Sequence, residues 1–174
     1  MNDNIYLSVV LKDDIKIDNL KYPSFVKRDE SKKAYSLLFR MFKYLGISID
    51  INDICCNSNG KPYIKNSNIY FNCSHSKNYI ACAVGFVDVG VDIEDEFEIS
   101  NKASLLYLPG IKSNFRKAFV TKEAYSKLLG DFDDDFFKNI DVNNINKNKY
   151  EISKKEYDLV LFYDESNKNI KKIL

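Results

Sequence analysis

The sequence contains few of the residues and patterns that mark specialised classes of protein. It has one histidine and no tryptophan, and no apolar run reaches the roughly 18 residues of a membrane-spanning helix. The first residues also lack the basic region and the apolar core of a signal peptide. We therefore expect a cytoplasmic protein with no segment in the membrane.

An excess of either charge is also missing. Lys and Arg number 26 and Asp and Glu number 25, so the formal net charge is +1. This balance gives no general attraction to nucleic acid or to an anionic membrane surface. Any polyanionic ligand must be bound by a local group of basic side chains, and we expect no nucleic-acid partner.

The four cysteines follow no metal-binding or disulfide pattern. Cys55 and Cys56 are adjacent, whereas Cys73 and Cys82 lie inside apolar segments, where cysteine acts as a small core residue. The sequence therefore assigns these thiols no chemistry.

What the sequence does contain is a clear succession of strand and helix patterns. Predicted strands cover residues 5–11, 69–73, 79–87, 89–93, 136–142, 150–153 and 158–164. Predicted helices cover residues 29–45, 101–108 and 115–129, and the basic tail is expected to fray. Expected helix caps are Asp29 or Ser31 for the first long helix and Ser113 or Asn114 for the second.

The order of these elements indicates how the chain is divided. A strand, a long helix and further strands are followed by a second strand, helices and strands, which is typical of an α+β fold with two similar halves. The halves are predicted at residues 1–87 and 88–174, and they form one compact unit of 174 residues.

The central stretch holds the polar residues with the sharpest chemical character. Ser74, His75 and Ser76 are predicted in a break between strands, and Gly90 in the next turn. Asp92 and Glu94 are two residues apart on a strand, so both carboxylates point to one face about 6.6 Å apart. That spacing suits a shared divalent cation.

The helix at 115–129 carries three charged residues that need explanation. Lys122 falls in the middle of the apolar side, so its ammonium either reaches out to solvent or meets a carboxylate or phosphate. Glu123 and Lys127 are one turn apart, which fits either an ordinary exposed pair worth about 0.3–0.5 kcal/mol or a shared site. Combined with Asp92 and Glu94, Glu123 would complete a set of three carboxylates suited to Mg²⁺.

The first long helix has a basic side. Lys32 and Lys33 lie in its first turns, after a loop that is also rich in lysine. This pattern is compatible with a solvated helix face or with an anion site at the start of the helix.

Four short motifs occur in an order that resembles a known family. They are G-K-P at 60–62, F-N-C-S-H-S at 71–76, G-V-D-I-E at 90–94 and F-V-T-K-E-A at 119–124. Together they resemble the 4′-phosphopantetheinyl transferase superfamily, of the type that activates peptide synthetases such as surfactin synthetase. The resemblance covers about residues 60 to 130.

The resemblance implies a fold and a reaction. Two α+β halves related by a pseudo-twofold would hold coenzyme A and Mg²⁺ in the cleft between them. A serine hydroxyl of an acyl or peptidyl carrier protein would attack the β-phosphorus of coenzyme A and take the phosphopantetheine arm, releasing adenosine 3′,5′-bisphosphate. A chain with both halves would work as a monomer.

The resemblance also implies roles for individual residues. The metal ligands would be Asp92, Glu94 and Glu123, with Glu123 or a metal-held water as the base for the serine proton. The residues that would bind coenzyme A are Lys61 near the adenine and ribose, Ser74, His75, Lys122 and Lys127 at phosphates, and Lys32 or Lys33 at the 3′-phosphate.

Three departures from the family pattern leave other functions open. The Arg that the family has near the start of the first long helix is replaced at best by Lys, which loses the bidentate contact to a phosphate. Phe119 stands where the family usually has tryptophan, and the segment between Glu94 and Lys122 is shorter than usual. A relative that binds coenzyme A without transferring the arm is therefore the main alternative. A Mg²⁺-dependent nuclease is disfavoured, since no broad basic face is available for a nucleic-acid backbone.

Overall fold

The computed structural model describes residues 3–19 and 21–174. The strands are β1 (Asn4–Leu11), β2 (Ile54–Cys56), β3 (Pro62–Ile64), β4 (Tyr70–His75), β5 (Tyr79–Gly85), β6 (Val89–Glu94), β7 (Asn148–Ser153), β8 (Asp158–Tyr163) and β9 (Asn169–Lys172). The helices are α1 (Asp29–Tyr44), α2 (Asn101–Tyr107), α3 (Phe115–Leu129) and α4 (Asp134–Asn139). Residues 1 and 2, on which the expectation about a signal peptide partly rests, lie outside the described part.

The first sheet has the strand order β4-β5-β1-β9 and is covered by α1. β5 pairs antiparallel with both β1 and β4, and β9 pairs parallel with β1. The apolar side of α1, including Leu37, Leu38 and Met41, packs into a core with Phe71 and Ile80. The period of about 3.6 residues in α1 therefore determines which face is buried.

The second sheet has the antiparallel order β6-β8-β7 and is covered by α3. Val120, Ala124 and Leu128 of α3 pack on Val160 and Phe162 of β8. The other side of this sheet faces the first sheet across a shared apolar core. That core contains Ile5, Leu7, Ala81, Ala83, Val91, Ile93, Leu159 and Leu161.

The two sheets follow the same succession of elements. One runs β1, α1, β4 and β5, the other runs β6, α3, β7 and β8, and in each the last of these strands lies between the other two. The protein therefore has a mixed α+β fold, as predicted.

Two expectations for the last third of the chain are wrong. The segment 136–142 was predicted as a strand, but α4 covers most of it because the Asp133 carboxylate accepts hydrogen bonds from the backbone of Asp135 and Phe136. The basic tail does not fray; it forms β9, whose pairing with β1 satisfies backbone groups at the edge of the first sheet.

The two long helices begin and end close to the residues predicted from the sequence, whereas the predicted capping residues agree less well with the structure. The helix α1 begins after Arg28, and among the described residues no side chain caps it, so Asp29 and Ser31 are not the cap. Asn114 and Gly130 flank α3 in left-handed backbone conformations, which Asn and Gly adopt most readily.

Within residues 3–19 and 21–174, none of the helices combines the length and the apolar character required to cross a membrane.

Candidate functional site

The site is built where β6 meets the last turns of α3. A Cβ on Gly90 would lie 2.2 Å from Leu128 N and 2.3 Å from Ala124 O, so the strand and the helix touch backbone to backbone. Gly90 therefore lies inside β6 and not in a turn as the sequence predicted. This close approach places Lys127 of α3 opposite Asp92 of β6.

Asp92 is the centre of a hydrogen-bonded group from three elements. It is 3% exposed, and its Oδ1 accepts hydrogen bonds from Lys127 Nζ at 2.6 Å and from Ser74 Oγ at 2.6 Å. Lys127 Nζ also donates to Ser74 Oγ at 3.1 Å. The second carboxylate oxygen of Asp92, Oδ2, is buried and has no hydrogen-bond partner among the described residues. Ser74 reaches Asp92 because β4 extends to His75, beyond the predicted strand end.

Glu94 and Glu123 lie within electrostatic reach of Asp92 and Lys127. Burial, with a contribution from the Asp92 charge, raises the pKa of Glu94 to about 7. Burial also raises the pKa of Glu123, although Lys127 opposes the effect. Burial alone would lower the pKa of Lys127, but Asp92 and Glu123 outweigh it and the pKa is raised. The three carboxylates therefore repel one another and share one counter-charge.

The donor set suits a hard divalent cation. As the side chains stand, no three His, Cys, Asp or Glu residues in the described ranges are arranged to hold a metal ion. Carboxylate oxygens are nevertheless the ligands that Mg²⁺ prefers. An unpartnered Asp92 oxygen and two neighbouring carboxylates with raised pKa are the features that a bound cation would relieve.

A basic edge lies next to this group, at the end of β4. His75 lies at the protein surface with part of its ring covered, and this partial burial together with the charges of Lys12 and Lys127 lowers its pKa. Lys33 Nζ donates to the Lys12 carbonyl at 3.0 Å, so Lys12, Lys33 and His75 belong to one surface. By contrast, Lys32 pairs with Asp29 at 3.1 Å on the helix surface.

Sequence reasoning missed Lys12. It lies just after β1, next to Asp13 and Asp14, and no local pattern separates it from other surface lysines. Its place follows from strand register, since the Lys12 backbone donates to Asn78 O and so brings the end of β1 beside the end of β4. Register of this kind depends on contacts between distant segments.

The comparison with known proteins agrees with the motifs. The chain is 30% identical over 130 residues to the 4′-phosphopantetheinyl transferase gsp of Aneurinibacillus migulanus. The predicted resemblance to the 4′-phosphopantetheinyl transferase superfamily is confirmed. The match takes in 63% of this chain and 54% of the relative, so the chain spans about half the length of the curated protein it matches. No family model matches the chain.

Lys61, in the first motif shared with the transferase superfamily, holds the end of α3. Its Nζ donates to Asp88 Oδ1 at 2.6 Å and to the Leu128 carbonyl at 2.5 Å, and the residue is mostly buried. Its stem packs against Gly130, where an added Cβ would lie 3.0 Å from Lys61 Cδ. Lys61 also lines a groove of about 410 Å³ with Tyr63 and other residues of the β2–β3 hairpin. Its ammonium therefore links this hairpin to the helix that carries Lys127.

Lys122, in the last of the superfamily motifs, does not join the group around Asp92. It is 2% exposed, and its Nζ donates to Phe137 O at 3.1 Å and Lys138 O at 2.9 Å. Burial lowers its pKa, and Asp141 acts in the opposite direction. Its ammonium binds carbonyls in the last turn of α4, and the phosphate role implied by the resemblance stays a prediction.

Proposed function

We propose that this chain transfers the 4′-phosphopantetheine arm of coenzyme A to a serine of an acyl or peptidyl carrier protein, with Mg²⁺, and releases adenosine 3′,5′-bisphosphate. One observation carries the proposal: Ser74, Asp92 and Lys127, far apart in the sequence, are hydrogen-bonded to one another. Ser74 and Asp92 belong to two of the motifs through which the chain resembles a family of such transferases, and Lys127 follows the last motif by three residues.

The metal would be held by Asp92, Glu94 and Glu123. When bound, Mg²⁺ would neutralise charge on the pyrophosphate and on the leaving group. Lys127 supplies a fixed positive charge at the same place, and its raised pKa keeps it protonated at neutral pH. The site would therefore stabilise negative charge as the β-phosphorus is attacked.

The nucleotide half of coenzyme A would lie along the first sheet. Ser74 Oγ would donate to a phosphate oxygen, and His75 with Lys12 and Lys33 would pair with the 3′-phosphate. Lys32, next to Lys33 in the sequence, would add positive charge near the 3′-phosphate. The groove beside Lys61, about 410 Å³ in volume, would take the adenine and ribose.

Glu123 would accept the proton of the carrier serine. A general base acts best when its pKa lies near the working pH, and burial raises the pKa of Glu123 in that direction. Because Glu123 lies on α3 and its pKa responds to the charges of Asp92 and Lys127, the serine would approach from the α3 side of the site.

The overall arrangement belongs to the proposal as well. Residues 1–87 and 88–174 would form halves related by a pseudo-twofold, in line with their shared order of elements. β9 of the second half completes the sheet of the first, so the halves would act as one monomer.

The test is transfer to a panel of carrier proteins. The protein is incubated with coenzyme A, Mg²⁺ and several apo carrier proteins, and intact mass reports any added arm. We expect a mass gain that Asp92→Asn and Glu123→Gln each reduce by at least about 100-fold. Glu96→Gln is the matched control, because Glu96 forms an exposed ion pair with Lys77 and is not among the proposed ligands. Unchanged turnover in both site variants would refute the assignment.

A relative that binds coenzyme A without transfer is the second candidate. The match takes in 54% of the curated transferase. Under this alternative the chain would lack a surface that binds the carrier protein. Binding of coenzyme A without a mass gain on any carrier would support this alternative.

A further inference from the structure

Two of the cysteines lie side by side in the first sheet. In the antiparallel pairing of β4 with β5, Cys73 is directly opposite Cys82. Residues that face each other in this way have Cα atoms about 4.5–5.5 Å apart, which lies inside the roughly 4.4–6.8 Å found in disulfides. The backbone therefore holds the two residues at a spacing that allows their sulfur atoms to be joined.

The two side chains also meet. Both thiols are free, and the Sγ atoms of Cys73 and Cys82 lie 2.9 Å apart. A disulfide bond is about 2.05 Å long, so the sulfur atoms have to approach each other by only about 0.9 Å. The bond can therefore form without a change in the pairing of the strands.

The two thiols differ in their access to solvent. Cys82 is buried on the inner strand β5, and its Sγ also lies 3.4 Å from the Ala34 carbonyl oxygen of α1. Burial raises the pKa of the Cys82 thiol, so this group stays protonated. Cys73 is partly exposed and lies on β4, at the edge of the sheet. A small oxidant from solvent therefore reaches Cys73 first.

The hydroxyl of Tyr35 on α1 lies close to this pair. Its oxygen is buried and has no hydrogen-bond partner in the part of the chain that the structure describes. Burial raises the pKa of Tyr35, and Cys73, Cys56 and Cys82 act in the same direction, so the hydroxyl is within electrostatic reach of all three thiols. A neutral hydroxyl can donate a hydrogen bond to an anion, which would stabilise a thiolate at Cys73.

We infer that Cys73 and Cys82 form a reversible redox site that reduces a hydroperoxide and closes to a disulfide. The Cys73 sulfur attacks one oxygen of hydrogen peroxide, the O–O bond breaks, and the departing hydroxide takes up the proton of the Cys73 thiol. Cys73 is left as a sulfenic acid. The Cys82 sulfur then attacks the Cys73 sulfur, and the hydroxyl of the sulfenic acid leaves as water with the Cys82 proton.

The reaction balances with the peroxide as the oxidant. Two thiols and one hydrogen peroxide give one disulfide and two waters, and the peroxide takes the two electrons that the thiols lose. A dithiol such as dithiothreitol restores both thiols by thiol–disulfide exchange and is itself oxidised to a disulfide.

This chemistry is separate from the proposed transfer. Neighbouring residues of a strand point to opposite faces, so Cys73 packs in the core beneath α1, whereas Ser74 bonds Asp92 on the other side of β4. Neither thiol is among the residues proposed to bind coenzyme A or Mg²⁺.

The experiment treats the folded, fully reduced protein with hydrogen peroxide and maps its cysteines by mass spectrometry. Remaining thiols are blocked with N-ethylmaleimide in denaturant, and trypsin cuts after Lys77, so the peptides of Cys73 and Cys82 stay together only through a disulfide. We expect two of the four thiols to be lost and these two peptides to be linked. Treatment with dithiothreitol should return all four thiols.

Variants test the order of the two steps. Cys82→Ala removes the thiol that closes the disulfide, so labelling of a Cys73 sulfenic acid by dimedone should rise at least about tenfold over the unaltered protein. Cys73→Ser removes the accessible thiol, so Cys82 should stay reduced. Cys56→Ser is the matched control, because Cys56 also lies near Tyr35. This control should form the same disulfide as the unaltered protein.

Other outcomes overturn the inference. Four free thiols after peroxide treatment, or a sulfinic acid at Cys73 without a linked peptide, would show that the pair is not a redox site. A disulfide that joins Cys73 to Cys55 or Cys56 would assign the chemistry to another pair. A link between Cys73 and Cys82 that forms only in urea would show that the folded strands prevent the reaction. The mapping of the unaltered protein decides the inference even if a variant fails to fold, and absence of phosphopantetheine transfer would not affect it.

Discussion

Asp92 has an uneven environment that affects how its variants must be interpreted. One oxygen accepts hydrogen bonds from Lys127 and Ser74, and the other has no partner in the described ranges. Removing the carboxylate charge leaves the ammonium of Lys127 without its closest counter-charge, which is destabilising in a buried position. A loss of transfer in Asp92→Asn therefore supports the function only if circular dichroism shows an intact fold.

The affinity for coenzyme A should depend on pH through His75. Burial, Lys12 and Lys127 lower its pKa, while Glu30 and Asp92 act in the opposite direction, so the free protein favours the neutral imidazole. A bound 3′-phosphate favours the imidazolium and raises that pKa. By linkage, affinity should rise on the order of fivefold as pH falls from about 8 to about 6.5. Calorimetric titration with coenzyme A at several pH values measures this change in affinity.

The control for this prediction removes the phosphate or the imidazole. Dephospho-coenzyme A lacks the 3′-phosphate, and His75→Ala lacks the titrating group, so both should show a flatter pH dependence. An equally steep dependence in His75→Ala would mean that another group binds the 3′-phosphate.

Lys122→Met should affect stability and not coenzyme A. The buried ammonium donates to two carbonyls of α4, and its loss should lower the free energy of unfolding by about 1–2 kcal/mol. Affinity for coenzyme A should stay within about twofold, since the side chain lies away from Asp92. Urea unfolding and calorimetry measure the two quantities.

Lys117→Met is the matched control on the same helix. Lys117 forms a partly exposed ion pair with Glu151, which should contribute less than about 1 kcal/mol. A large loss of coenzyme A affinity in Lys122→Met, at unchanged stability, would restore the phosphate role that the motif suggested.

At the scale of elements, the contact between β6 and α3 determines the site. Gly90→Ala would place a Cβ within 2.3 Å of backbone atoms of Leu128 and Ala124, and neither the strand nor the helix can move alone. We expect a loss of about 3 kcal/mol or more of unfolding free energy, together with displaced Lys127 and weaker coenzyme A binding. Urea unfolding and ligand titration measure both effects.

Gly85→Ala tests whether the effect is specific to that contact. Its Cβ would lie 3.3 Å from a side-chain atom of Ile5, which can adjust, so a loss of about 1 kcal/mol is expected. Similar losses in the two variants would show that β6 and α3 can separate without disturbing the fold.

The hydrogen bonds of Lys61 also hold two elements together. Its bonds to Asp88 and Leu128 connect the turn before β6 with the end of α3, close to Lys127. Two contacts, at Gly90 and at Lys61, thus fix the position of the helix relative to the strand.

For the whole molecule, β9 joins the end of the chain to the first sheet. Deleting residues 168–174 would expose the edge of β1 and remove the packing of Ile170 and Ile173. We expect the free energy of unfolding to fall by about 2–3 kcal/mol and the protein to self-associate through the free edge. Urea unfolding and light scattering measure these changes.

Lys171→Ser provides the control, because it alters an exposed side chain of β9 and keeps the backbone pairing. It should change stability by less than about 0.5 kcal/mol. If the deletion is equally mild, β9 contributes little to the fold.

The sequence by itself determined the local parts of this protein. A period of two placed Asp92 and Glu94 on one side of β6, and the helical period placed Glu123 and Lys127 one turn apart on α3. Both patterns follow from backbone geometry, which depends only on neighbouring residues. The motifs around these residues also carried the resemblance to the transferase superfamily, which the relative confirmed.

The tertiary structure decided which of these side chains meet. Ser74 and Lys127 bond the same oxygen of Asp92, Lys12 comes beside His75, Lys61 holds α3, and Lys122 faces α4. It also turned 134–139 into a helix and the tail into β9. These outcomes depend on strand register and on the close approach at Gly90, which bring together residues far apart in the chain, and no local period encodes such contacts.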